Sequence, residues 1–182
     1  MAHHDLKYYR DTCRSLMRAI TEDLEQRRRT VEQLGAQCIE AEQAITQLYV
    51  EIQDLGRRVQ NGMITRAAAE AEGHRLAAER ARLTAIMETE KRNYTLNCAK
   101  YDKFARLWET HGEPLGMICD IETEDDRLIE CFDMVIEVLK RYRGLINGVA
   151  DEGEKRFDFD ALEAHLRELV ERIKEIIYCM MK

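Results

Sequence analysis

The residue types able to do chemistry are few in this chain, and their spacing does not suit it. Nucleophilic catalysis needs a cysteine or serine beside a positioned base. Cys119, the only cysteine outside a predicted helix, has His111 as its nearest histidine, and the pair reads as ordinary linker residues. A carboxylate di-iron bundle needs Glu-x-x-His pairs. The residues three before His74, His111 and His165 are instead Ala71, Trp108 and Leu162. Neither H-E-x-x-H nor a zinc-type Cys/His spacing occurs, and there is no glycine-rich loop to cradle phosphate. His3 and His4 are adjacent at a terminus and read as solvated. The chain is therefore expected to be a non-enzyme, with no catalytic, cofactor-binding or metal-ligating residue assigned.

What remains is charge and soft apolar surface. Arg10, Arg14 and Arg18 lie four apart and form one helical ridge, since residues at that spacing are neighbours on a helix. With Arg27, Arg28 and Arg29 they make the most basic zone of the chain. One reading is contact with an anionic surface such as a membrane, a microtubule or a nucleic-acid backbone. The weightier one is neutralisation inside the chain, for instance of Arg18 by Glu22. Met180 and Met181 could form an adaptable binding end, although methionines at helical spacing more often pack in a core. The candidate partner-binding residues are thus Arg10, Arg14, Arg18, Arg28, Arg29, Met180 and Met181.

The elements that must carry these residues are helices. From Leu24 to Val59 apolar residues recur with alternating steps of three and four. One seam position holds Met17, Leu24, Val31, Cys38, Ile45, Ile52 and Val59; the other holds Cys13, Ile20, Leu34, Ala41, Leu48 and Leu55. Arg27 is the one charged intruder. It is read either as a register-setting polar residue or as a side chain that snorkels to water. A seven-residue repeat of this length keeps a narrow stripe facing a partner helix. The first helix is expected from about Asp5 to Gln60, roughly 80 Å long at 1.5 Å per residue.

Asn61-Gly62 supplies a stop and Thr65 a candidate N-cap. A second helix then runs to about His111–Pro114, its stripe grading from alanines at 67–69 to Tyr94, Tyr101, Phe104 and Trp108. With a turn at 61–65, residue i should lie opposite roughly 125 − i. That pairs Leu48 with Leu76, Val31 with Tyr94 and Met17 with Trp108, and predicts a long antiparallel coiled-coil hairpin over 1–112. Val and Ile at one seam position with Leu at the other also suit a parallel dimer through helix 1. The hairpin is preferred because its partner stripe is tethered and so at higher effective concentration.

Residues 113–126 read as an acidic connector, with Thr123 capping a third helix over about 124–146. A polar loop over 149–157 follows. A fourth helix is expected from Asp158 or Asp160, where Asp160 and Glu163 have capping-box spacing. Residues 127–182 would then form a shorter C-terminal hairpin, docked on the aromatic base as a four-helix head. The fold class is all-α.

Composition agrees. The 182 residues include one proline and 35% charged residues, with a net charge of −7. Residues 1–110 hold 18 Lys and Arg against 17 Asp and Glu, while 111–182 hold 10 against 18. An acidic C-terminal part argues against nucleic acid as a partner. Six cysteines without a C-x-x-C pair favour a reducing compartment. No run approaches the roughly 18 apolar residues of a membrane span, and the N-terminus lacks a signal-peptide core. The expectation is an intracellular, cytoplasmic or cytoskeletal scaffold subunit whose partners are other coiled-coil proteins or further copies of itself. An adaptor for an anionic surface, working through the basic ridge, is the alternative.

Overall fold

The computed structural model describes the backbone of residues 2–120, 126–148 and 152–182, and the side chains of 6–120, 127–148 and 159–182. Among them every regular element is helical: α1 (Ala2–Gln60), α2 (Arg66–Met117), a short 3-10 turn (Ile118–Asp120), α3 (Asp126–Asn147) and α4 (Glu152–Met180). The two long helices pack together. Among the described residues no helix is long and apolar enough to cross a membrane.

α1 runs unbroken because its interior holds no proline and is rich in strong helix formers. Its end is built as the sequence indicates. Gly62 takes φ +64°, a left-handed conformation that costs glycine nothing. The Met63 amide donates back to the Arg58 carbonyl at 2.9 Å and the Gly62 amide to Val59 at 3.2 Å, which satisfies carbonyls left over at the helix end. Thr65 caps α2 as expected, its Oγ1 accepting from the Ala68 amide at 3.3 Å.

Three boundaries differ from the expected ones. α1 begins at Ala2 rather than near Asp5. α2 does not stop at His111–Pro114 but continues through Pro114 to Met117. Proline in a helix interior costs about 3 kcal/mol, yet Leu115 and Ile118 just beyond it are fully buried. Burying two such side chains returns roughly 1.5–3 kcal/mol each, so packing outweighs the lost amide. α4 begins at Glu152, not at Asp158 or Asp160. The residues before Asp160 include Glu, Lys and Arg, good helix formers, and Asp160 itself is an exposed mid-helix residue. Asp–Glu at that spacing merely marks a solvated face. Of the acidic connector, residues 121–125, Thr123 among them, lie outside the described residues.

The chain divides into two compact units. Unit 1 comprises residues 1–28 and 101–182 and contains one apolar cluster fed by all four helices. Ile20, Leu115, Phe132, Leu139, Tyr142, Leu162 and Ile173 are among its fully buried side chains. Its aromatic part gathers Phe104, Trp108, Tyr142 and Phe159, with ring centroids 5.4–5.6 Å apart. Tyr9 stacks on Phe132 at 6.2 Å. Of the expected aromatic stripe, Tyr94 belongs instead to unit 2, and Tyr8, next to Tyr9 in sequence, is exposed. Gly112 is required here: a Cβ on it would come within 2.9 Å of the Trp108 ring.

Unit 2 is residues 29–100, two helices without a third layer. Its seam is only partly enclosed. Cys38, Ala41, Leu48 and Leu76 are buried, while Leu34, Ile45, Ile52, Leu55, Leu83 and Met87 are half-buried. Glu51 pairs with Arg75 at 3.4 Å, Glu42 with Lys91 at 3.2 Å, and Tyr94 packs against Gly35. The pairs step down α1 as they step up α2. Away from the turn each lies one or two helical turns beyond the 125 − i register. The displacement has the expected sign, because helical side chains lean toward their own N-terminus. On paired helices of opposite direction, touching tips therefore come from higher residue numbers than facing Cα atoms.

Candidate functional site

The residues that sequence reasoning singled out do not converge on one place. Arg10, Arg14 and Arg18 remain on one side of α1, but the middle of that ridge is occupied within unit 1. Arg14 Nη2 donates to the Cys119 carbonyl at 3.1 Å and faces the Asp120 carboxylate at 3.5 Å. Arg10 Nε and Nη2 are buried and make no hydrogen bond among the described residues. Arg18 is exposed. Arg28 is engaged by Glu25 at 2.6 Å, one helical turn earlier, and Arg29 is exposed. Met180 and Met181 are 37% and 82% exposed, so the end of α4 is not core. The buried stripe of α4 ends at Ile176, with Ile177 packed at the edge of the core.

Sequence reasoning expected the acidic connector to emerge beside this ridge but not the two thiols there. Cys13 and Cys119, far apart in the chain, are both buried, and their thiols lie against each other. That contact holds the Cys13 thiol well above its ordinary range, with burial adding to it. The same contact lowers the Cys119 pKa, and the charges of Arg14 and Arg10 act in the same direction against burial. The sequence signal was present in part: Cys13 lies on the seam of α1 beside Arg14, but nothing local announces Cys119 as its partner.

His111 is not shown paired with Cys119. It is a buried residue of α2, and the charges acting on it are those of Arg167, Glu163 and Lys174 from α4. Burial lowers its pKa, the Arg167 charge lowers it further, and Glu163 partly opposes. The two residues proposed as a nucleophile–base pair therefore sit in different surroundings. All six cysteines are free thiols, and among the described residues no three His, Cys, Asp or Glu side chains gather as a metal site.

Arg27 has a role neither sequence reading gave it. Its Nη2 donates to the Ile146 carbonyl in the last turn of α3, where carbonyls lack helical partners and cations are favoured by the dipole. One turn away, Asp23 accepts from Arg143 Nε at 3.0 Å and Asn147 Nδ2 at 2.9 Å. Together they clamp the C-terminus of α3 to α1. Two grooves complete the inventory. One, of about 640 Å³, runs beside Ile52, Leu55, Leu76, Ala77 and Ala81 in unit 2, where alanines are too short to fill the flank of the seam. The other, about 200 Å³, lies between Met134 and Arg141 of α3 and His165 and Arg172 of α4. Neither brings a nucleophile and base together. No protein-family model, curated protein or solved structure matches the chain.

Proposed function

We propose that this protein is a non-enzymatic structural subunit of a larger protein assembly, acting through helix–helix contacts. In this reading α1 and α2 form an antiparallel coiled-coil hairpin that serves as a spacer, and unit 1 is a docking module. One observation carries it: unit 2 has only two helices, and eight large apolar side chains stand exposed on it. These are Ile39, Tyr49, Val50, Val59, Met63, Ile86, Tyr94 and Leu96. Apolar surface in that quantity on a structure without an interior suits burial by other helices. The cytoskeleton, an axoneme, a kinetochore or a tethering complex would each use such a part.

The adaptor alternative gains less support. Arg14 and Arg28 already have acidic partners, and residues 29–100 hold ten Lys and Arg against ten Asp and Glu, a net charge of zero. The deciding experiment is affinity purification of the tagged protein with cross-linking. Stoichiometric recovery of defined protein partners supports the scaffold reading. Turnover of a substrate that disappears with one point substitution sinks it. Retention on anionic vesicles with steep salt dependence would instead favour the adaptor.

A further inference from the structure

The outer side of α1 in unit 2, opposite the face that meets α2, carries a second stripe with the same three-and-four spacing as the seam. It reads Glu32, Ala36, Ile39, Gln43, Thr46, Val50, Gln53, Arg57, and every one of these residues is exposed. Ile39 and Val50 are 57% and 48% exposed. Between its two ends the stripe holds no charge, and from Thr30 to Gly56 the chain has no lysine or arginine. Of the acidic residues flanking it on α1, Glu42, Glu51 and Asp54 are answered within the chain, by Lys91, Arg75 and Arg58.

The order of residues is the telling feature. Lay a second copy of the stripe against the first in the opposite direction, with a twofold axis between residues 44 and 45. Ile39 then meets Val50 of the other copy, Gln43 meets Thr46, Ala36 meets Gln53, and Glu32 meets Arg57. In an antiparallel coiled coil the two seam positions face each other rather than themselves, and each of these pairs joins one seam position to the other. A closed twofold interface needs a self-complementary patch, and this one is complementary in size along its middle and in charge at both ends. A parallel, in-register pairing would instead oppose Glu32 to Glu32 and Arg57 to Arg57, at a cost. The overlap from Glu32 to Arg57 spans roughly 38 Å of helix.

We infer that the outer stripe of α1 is a homodimer interface, on which a second copy of this chain docks antiparallel about an axis between residues 44 and 45. This rests on the scaffold reading above and names one of its partners. The interface leaves the α1–α2 seam intact, so it differs from a parallel dimer that would compete with α2 for α1.

Sedimentation equilibrium on the full chain tests it, across micromolar to millimolar concentration. Reversible dimerisation is expected. Ile39→Asp should weaken it at least a hundredfold, because the substitution is counted twice per dimer. Glu32→Arg alone, or Arg57→Glu alone, should weaken it about tenfold, and the double variant E32R/R57E should restore the wild-type constant. All three substitutions are at exposed positions, and unchanged helical circular dichroism will show that each of the four variants is folded. A chain that stays monomeric throughout, a dimer indifferent to Ile39→Asp, or a double variant no tighter than either single one overturns the inference. Monomeric protein that still recovers defined heterologous partners defeats this interface alone. Substrate turnover would defeat the scaffold reading itself.

Discussion

Arg27 shows how far a single residue can depart from what its position in a repeat suggests. The heptad made it a fault in a seam; the folded chain makes it the C-terminal cap of α3 through the Ile146 carbonyl. A hydrogen bond with a charged donor is worth about 1.5–3 kcal/mol. Arg27→Met should therefore lower the melting temperature by about 3–10 °C, whereas Arg28→Met, which loses an exposed pair with Glu25, should shift it by about 1–2 °C at most. Equal effects in thermal melts would remove the cap from the account. Tyr142 makes a comparable claim: its hydroxyl donates to the Phe104 carbonyl from a fully buried ring. Tyr142→Phe should cost about 1 kcal/mol.

His111 gives the chain a pH dependence whose sign is fixed. Burial and the Arg167 charge put its folded pKa below the ordinary 6.5. As pH falls through that value the unfolded chain takes up the proton first, so stability is lost on the acid side and recovered above it. Melting temperature should rise from pH 5.5 to pH 7.5 in the wild type and much less in His111→Phe. A profile that is flat, or that falls toward pH 7.5, would show that the imidazole is not held neutral.

At the scale of elements, what was legible in the sequence is what repeats. The 3.5-residue period marked α1, the Asn61-Gly62 and Thr65 pair marked the turn, and both are present with their hydrogen bonds. What was not legible depended on contacts made across the fold. Pro114 looks like a terminator until Leu115 and Ile118 are seen to be buried. Asp160 looks like a cap until the residues before it continue the helix. The partnership of Cys13 with Cys119 had no local signal at Cys119. Gly112 offers a test at this scale. Gly112→Ala places a methyl 2.9 Å from the Trp108 ring, and although alanine is the better helix former, overpacking costs about 1–3 kcal/mol. A stabilised Gly112→Ala variant would mean that Trp108 yields easily.

For the whole molecule, the division into two units implies two levels of stability. Unit 1 holds the apolar cluster fed by four helices, while unit 2 has a seam in which Cys38, Ala41, Leu48 and Leu76 are the buried apolar residues. Local opening is easiest where few apolar contacts must be broken. Hydrogen exchange should therefore be slowest in α3 and in the buried face of α4, and faster at residues 29–100. Uniform protection along the chain would contradict this.

The placing of the thiols turns that difference into something a simple reagent can time. Cys13 and Cys131 are sealed inside unit 1, Cys38 is enclosed within the seam of unit 2, and Cys179 is open to solvent. Alkylation of an enclosed thiol must wait for its surroundings to open. Mass spectra taken during slow modification should therefore show Cys179 reacting at once, the half-buried Cys98 before Cys38, and Cys13 with Cys131 last. The chain carries native clocks in both of its units, and these can be read without a single engineered label.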